Sequence, residues 1–317
     1  MTIKATYQEI EISRIADDDH SYLLTPEVES GNEFPAMDTQ SLSRQILLNP
    51  PLLQGFDNSF RIIAGHGIFQ AYKKANAAGR CPCLVLDGNI DPLELLALAL
   101  ENISRVRKAS PVEEVLFLEK AISAAGQDKA TGFALPLLNI TRRYQPKTLL
   151  KLLQLNTRQL SAIHEGELEI STAFTLLEID PAERDEIFSL IASLRLSASN
   201  QRKLLRNSLE LAGRYSVTTG ELLRDPAILN IALDRSLENH RKTSLIMDWF
   251  HTRLFPQLSG AEEKFRRFVE SLDLPNDTEV EHAPSFEKDS LTFKCTFRDR
   301  QALTDKLPEL KKIICNQ

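Results

Sequence analysis

The chain has 317 residues, 38 Lys and Arg against 44 Asp and Glu, a formal net charge of -6 and 42% hydrophobic residues. That length holds two or three domains with real cores, and the composition excludes bulk disorder. The acidic balance excludes a molecule that attracts polyanions over its whole surface, so any nucleic-acid surface must be local.

In chain order, "YQEIEISRI" (7–15) alternates apolar and polar residues like a half-buried strand, and "MDTQSLSRQILLNP" (37–50) reads as a short helix stopped by its proline. "FRIIAGHGIFQAYKKANAAGRCPCLVLDG" (60–88) then gives a strand, a glycine turn, a helix with apolar residues at helical spacing, and a second strand. A glycine turn entering a helix presents unpaired backbone N–H groups and a partial positive charge, which suits an anion. It serves equally well as a plain change of direction. Cys81 and Cys83 lack the spacing and histidine company of a zinc knuckle, so they read as buried thiols of a reduced, cytoplasmic protein. No stretch has the length and apolarity of a signal peptide or a membrane span, so no membrane partner is expected.

From Asp91 the texture turns helical. "DPLE", "SPVE" and "DPAE" each place a capping residue, a proline at the first helical position and a glutamate at the capping-box position. Helices are expected over 91–105, 111–125, 131–139, 146–155, 171–179 and 181–194, with more to about 272. The tail reads as an amphipathic helix ("EEKFRRFVESL"), two strands around a polar loop, and a last helix. Trp249, Phe250, Leu254 and Phe255 read as core. The fold class expected is α+β: a small mixed N-terminal domain (1–108), a helical middle with a helix-turn-helix (109–195), a helical region (196–257) and a small α+β C-terminal region (258–317).

Four segments in this order resemble the ParB family of chromosome- and plasmid-partition proteins. "GHGIFQA" (65–71) lies where that family has its G-E-R-R-x-R-A box. "ALALENISR" supplies Glu101, Asn102 and Arg105 of an E-N-x-x-R helix end, and "ASPVEEV" resembles the "NPIEEA" that follows. "LLKLLQLNTRQLSAIHEGELEISTAFTLLEI" (149–179) matches the helices beyond the helix-turn-helix. The resemblance covers about residues 8–195. It implies a sulfiredoxin-like N-terminal fold, duplex DNA as partner, a homodimer, a partition ATPase as a further partner, and CTP with magnesium as the nucleotide. On that resemblance the weak nucleotide site is Gly65, His66, Gly67, Glu101, Asn102 and Arg105.

The box departs from the family. His66 replaces its glutamate, and Gly67, Ile68 and Gln70 replace its arginines. A triphosphate needs forked, charge-assisted hydrogen bonds that none of these side chains supplies. Little or no CTPase activity is therefore expected, with no catalytic residue, no metal ligand and no resident cofactor. The related G-x-H-R box of sulfiredoxins fares no better, because Gly67 and Ile68 occupy its His and Arg positions.

Asn139 to Ile163 holds Arg142, Arg143, Lys147, Lys151 and Arg158 and no acidic residue, a local charge of +5 in a chain of -6. It falls where the family has its recognition helix, and five clustered cations suffice for salt-sensitive phosphate binding. Tyr144, Gln145 and Thr148 join Arg142 and Arg143 as candidates for base edges. Pro146 implies that this helix starts late and is short. A second acid-free run, 189–209, adds Arg195, Arg202, Lys203 and Arg206. The expected function is that of a ParB-like DNA-binding protein in partition or transcriptional regulation. The alternatives are a ParB-derived protein–protein interaction module and a CTP-dependent DNA clamp.

Overall fold

The computed structural model describes residues 3–26, 44, 46–75, 79–138, 143–272, 274, 278–283, 286 and 288–315. Most of the helix expected over 37–50, and Arg142, lie outside them. Contacts divide the chain into two compact units, residues 1–205 and 206–317.

The first unit carries a five-stranded mixed sheet in the order β1-β5-β3-β4-β2, made of β1 (Ala5–Glu11), β2 (Ile15–Ala16), β3 (Leu52–Phe56), β4 (Ser59–Ala64) and β5 (Arg80–Leu86). β1 pairs antiparallel with β5 from the sheet edge, where only its Ile10 is buried. β3 and β4 form a hairpin through Asp57 and Asn58, with Asp57 at φ +51 as a two-residue turn requires. Successive strand residues face opposite sides of a sheet. Ile62 accordingly joins Leu53, Cys81, Cys83 and Phe69 of helix α1 (His66–Ala75), while Ile63 joins a second cluster on the other face.

That second cluster is what joins sheet to helices. It unites Ile63 and Leu86 with Leu95, Leu96 and Leu100 of α2 (Pro92–Val106), Phe117, Leu118 and Ala121 of α3 (Pro111–Ala125), and Ala130 and Ala134 of α4 (Gln127–Ala134). One core thus runs across residue 108. Further helices follow: α5 (Pro146–Leu150), continued as a 3-10 turn over Lys151–Gln154, α6 (Thr157–Glu165), α7 (Ile170–Leu176), α8 (Pro181–Leu194) and α9 (Ala198–Tyr215).

The capping devices differ in detail from expectation. The reciprocal capping box forms at Ser110 and Glu113, whereas Asp91 and Asp180 accept from the second helical N–H, at Leu93 and Ala182, and no box forms there. Each of these carboxylates satisfies one of the N–H groups that a helix start leaves open. The helix expected over 131–139 instead starts at Gln127 and becomes 3-10 at Leu135–Leu137, as Pro136 removes a donor.

The second unit contains α10 (Thr219–Leu223), α11 (Pro226–Leu233), α12 (Asn239–Leu254), α13 (Pro256–Ser271), an antiparallel hairpin of β6 (Thr278–His282) and β7 (Leu291–Cys295), and α14 (Arg300–Cys315). Trp249, Phe250 and Leu254 are buried as expected, but Phe255 is exposed because it sits between α12 and α13 with φ -127 and leaves the inward face. The α+β class holds, and among the described residues no helix is long and apolar enough to cross a membrane.

Candidate nucleic-acid interface and the glycine-turn cavity

The turn at residues 64–67 is built by steric need. Gly65 has φ +85, and a Cβ there would stand 3.1 Å from the Pro51 Cα, so only glycine fits without displacing the neighbouring strand entry. Its carbonyl accepts the first helical bond of α1 from the Phe69 N–H at 3.0 Å. Beside this turn is a cavity of about 200 Å³, lined by Tyr22, Leu24, Ile63, Gly65, His66, Gly67, Ile68, Asn102 and neighbours. Four of the six residues expected at a nucleotide site therefore meet. Glu101 and Arg105 do not line the cavity; both are exposed and no ion pair joins them.

The electrostatics of this cavity are those of a nearly neutral site. Burial, with the neighbouring His20 adding to it, pushes the His66 imidazole down to about 4 against a partial offset from Asp19, so it is uncharged at neutral pH. Its Nε2 is buried without a hydrogen-bond partner among the described residues. Of the nearby cations, Lys120 donates to the His20 carbonyl at 2.7 Å, and Arg61 stacks 3.6 Å over the Phe56 ring and lies 3.7 Å from Asp19, its Nε buried without a hydrogen-bond partner among the described residues. Among the described residues no lysine or arginine lines the cavity, so those that do are no fit for a nucleoside triphosphate. The polar side chains that line it are Tyr22, Thr25, Asn102 and the uncharged His66.

The basic segment is organised around a short helix start. Gln145, in extended conformation at φ -71 and ψ 148, is the cap of α5 without a side-chain capping bond, and Pro146 opens the helix. Leu149 and Leu152 are wholly buried, which turns Lys147 and Lys151 outward on one face, four residues apart. Arg143 and Gln145 are exposed at the entry, and Thr148 is half-buried. Arg143, Lys147 and Lys151 form no ion pair with a described carboxylate. Tyr144 and Arg158 are held instead: the Tyr144 ring packs 4.9 Å from Phe174 of α7, and the Arg158 guanidinium lies 5.7 Å from the Phe188 ring of α8. Tyr144 thus anchors the turn, and Arg158 lies over an aromatic ring.

What holds this helical group in place is a polar knot that sequence reading did not find. Arg107 makes a forked pair with the buried Glu113 at 2.7 and 2.5 Å, Glu113 also accepts the Ser110 N–H at 2.7 Å, and the Ser110 hydroxyl meets His164 Nδ1 at 2.9 Å. The knot ties the end of α2 and the start of α3 to α6. Only the Ser-x-x-Glu spacing signalled it; Arg107 and His164 enter through tertiary contact.

A scan against protein families finds no match for this chain, and a search of the curated proteins finds no relative.

Proposed function

We propose that the chain is a ParB-like DNA-binding protein serving partition or transcriptional regulation, with duplex DNA as its partner and little or no CTPase activity. The observation that carries this reading is the acid-free segment around α5, where Arg143, Lys147 and Lys151 are exposed and unpaired in an otherwise acidic molecule. Unpaired surface cations have no internal attraction to give up when they meet phosphates, so counterion release favours the complex in full. Arg143 and Gln145 stand at the helix entry, the position from which side chains reach base edges in a helix-turn-helix. Self-association is part of the proposal. The β7 residues Leu291 and Phe293 are exposed, and with Val280 and Cys295 they fall on one face of a two-stranded sheet, which is marginal without further cover. A partition ATPase is the further partner that the resemblance implies.

Fluorescence anisotropy with duplex DNA over a salt series tests the proposal. Binding should weaken steeply as salt rises, and the triple variant R143E/K147E/K151E should bind no DNA while keeping the parent circular dichroism. Absence of binding at low salt would favour the protein–protein interaction module, and tight CTP binding with turnover would restore the clamp.

A further inference from the structure

A second and larger cavity, of about 510 Å³, lies where the end of α6, the end of α8 and the start of α9 meet. Ile163, Leu168, Ile191 and Leu196 form its floor, all buried in a volume typical of sites for small organic molecules. Charges of both signs line it, Arg195 and Glu167. Neither side chain is paired with the other or with any described residue, although the pair lines one cavity. Glu169 also lines the cavity, but its Oε2 accepts from the Ser171 and Thr172 N–H groups at 2.9 and 3.1 Å and lies 3.7 Å from Arg202, so this carboxylate is already partly engaged.

The backbone that carries these two exposed side chains is held on one scaffold. Gln201, 2% exposed, accepts the Glu169 N–H at 2.9 Å and donates to the Glu167 carbonyl at 2.6 Å and the Leu196 carbonyl at 2.8 Å. One buried amide therefore stitches the segment bearing Glu167 to the turn bearing Arg195. Arg195 is itself in the left-handed region at φ +49, a helix-ending position where glycine carries the lower conformational cost. Arginine at that position carries its guanidinium at some conformational cost to the backbone.

We propose that this cavity binds a zwitterion of the amino-acid class with an apolar side chain, its carboxylate on Arg195, its ammonium on Glu167 and its side chain on the Ile163–Leu196 floor. A carboxylate alone would leave Glu167 facing it, and an amine alone would face Arg195; a zwitterion satisfies both. This site is independent of the DNA surface and stands whether or not DNA binds.

Titration calorimetry on the full chain uses L-leucine, L-phenylalanine and L-tryptophan, with N-acetyl-L-phenylalanine and L-phenylalaninamide as probes lacking one charge. At least one free amino acid should bind in the millimolar range or tighter. Each phenylalanine derivative should be roughly tenfold weaker than L-phenylalanine, the loss of one charge-assisted hydrogen bond. R195G should melt no lower than the parent, yet no longer distinguish acid from amide, and E167Q should no longer distinguish amine from acetamide. A192F, which fills the cavity from α8, should abolish binding. No heat with any of the three amino acids, equal binding of the single-charge derivatives, or full binding by A192F would overturn the proposal.

Discussion

At Gly65 and His66 one turn joins a steric requirement for glycine to a buried, uncharged imidazole. The folded chain holds the His66 imidazole near 4, below its ordinary 6.5, because the charged form loses hydration when buried. The folded state thus binds fewer protons than the unfolded state between these values, and stability is complete above about pH 6.5 and falls as pH drops toward 4. The full difference amounts to about 3 kcal/mol at most. Melting midpoints followed from pH 7 to 4 should fall, and H66F should flatten that slope. His164 is depressed in the same direction, by burial first, so part of the acid sensitivity should persist in that variant. Gly65→Ala forces a Cβ against Pro51 at positive φ and should lower stability by ~1–3 kcal/mol in denaturant unfolding, with the secondary structure retained.

Among the helices, α3 depends on its first turn more than its apolar face suggests. The Glu113 side chain is wholly buried, and its carboxylate satisfies both the Arg107 fork and the Ser110 N–H. Glu113→Ala leaves a buried N–H without a partner and releases a half-exposed guanidinium, at a cost of ~2 kcal/mol. Glu113→Gln keeps one acceptor and should recover part of that loss, which chemical denaturation of the two variants would measure. The short basic segment follows the same local logic. Pro146 sets where α5 begins and the turn tightens to 3-10 after Leu150, so only Lys147 and Lys151 share its outward face, with Arg143 outside the helix.

For the whole molecule, a net charge of -6 disfavours polyanions overall, so the proposed DNA binding depends on local basic segments such as this one. The three exposed, unpaired cations predict a slope of log affinity on log salt of roughly -3, each phosphate contact contributing about -0.9. K151E alone should reduce that slope by about one unit while leaving preference among sequences unchanged, because a phosphate contact carries no base information. A slope near zero would mean that the cations are a solvated face only.

Much of this was legible in the sequence. Periodicity and proline-led caps located α2, α3 and α8 to within about a residue, because helix starts are decided by side chains a few positions apart. The strand–turn–helix at Gly65 was visible for the same local reason. Local sequence could not decide which charges meet. Glu101 and Arg105 shared a motif with Asn102, yet only Asn102 faces the cavity, since helix phase is set by the buried Leu96, Ala99 and Leu100. Nor could it decide that one core crosses residue 108, that Arg107 and His164 join one knot, or that Gln201 links Glu167 to Leu196. Those contacts span tens of residues and depend on which apolar faces pack together, a choice made by the chain as a whole when it buries its surface.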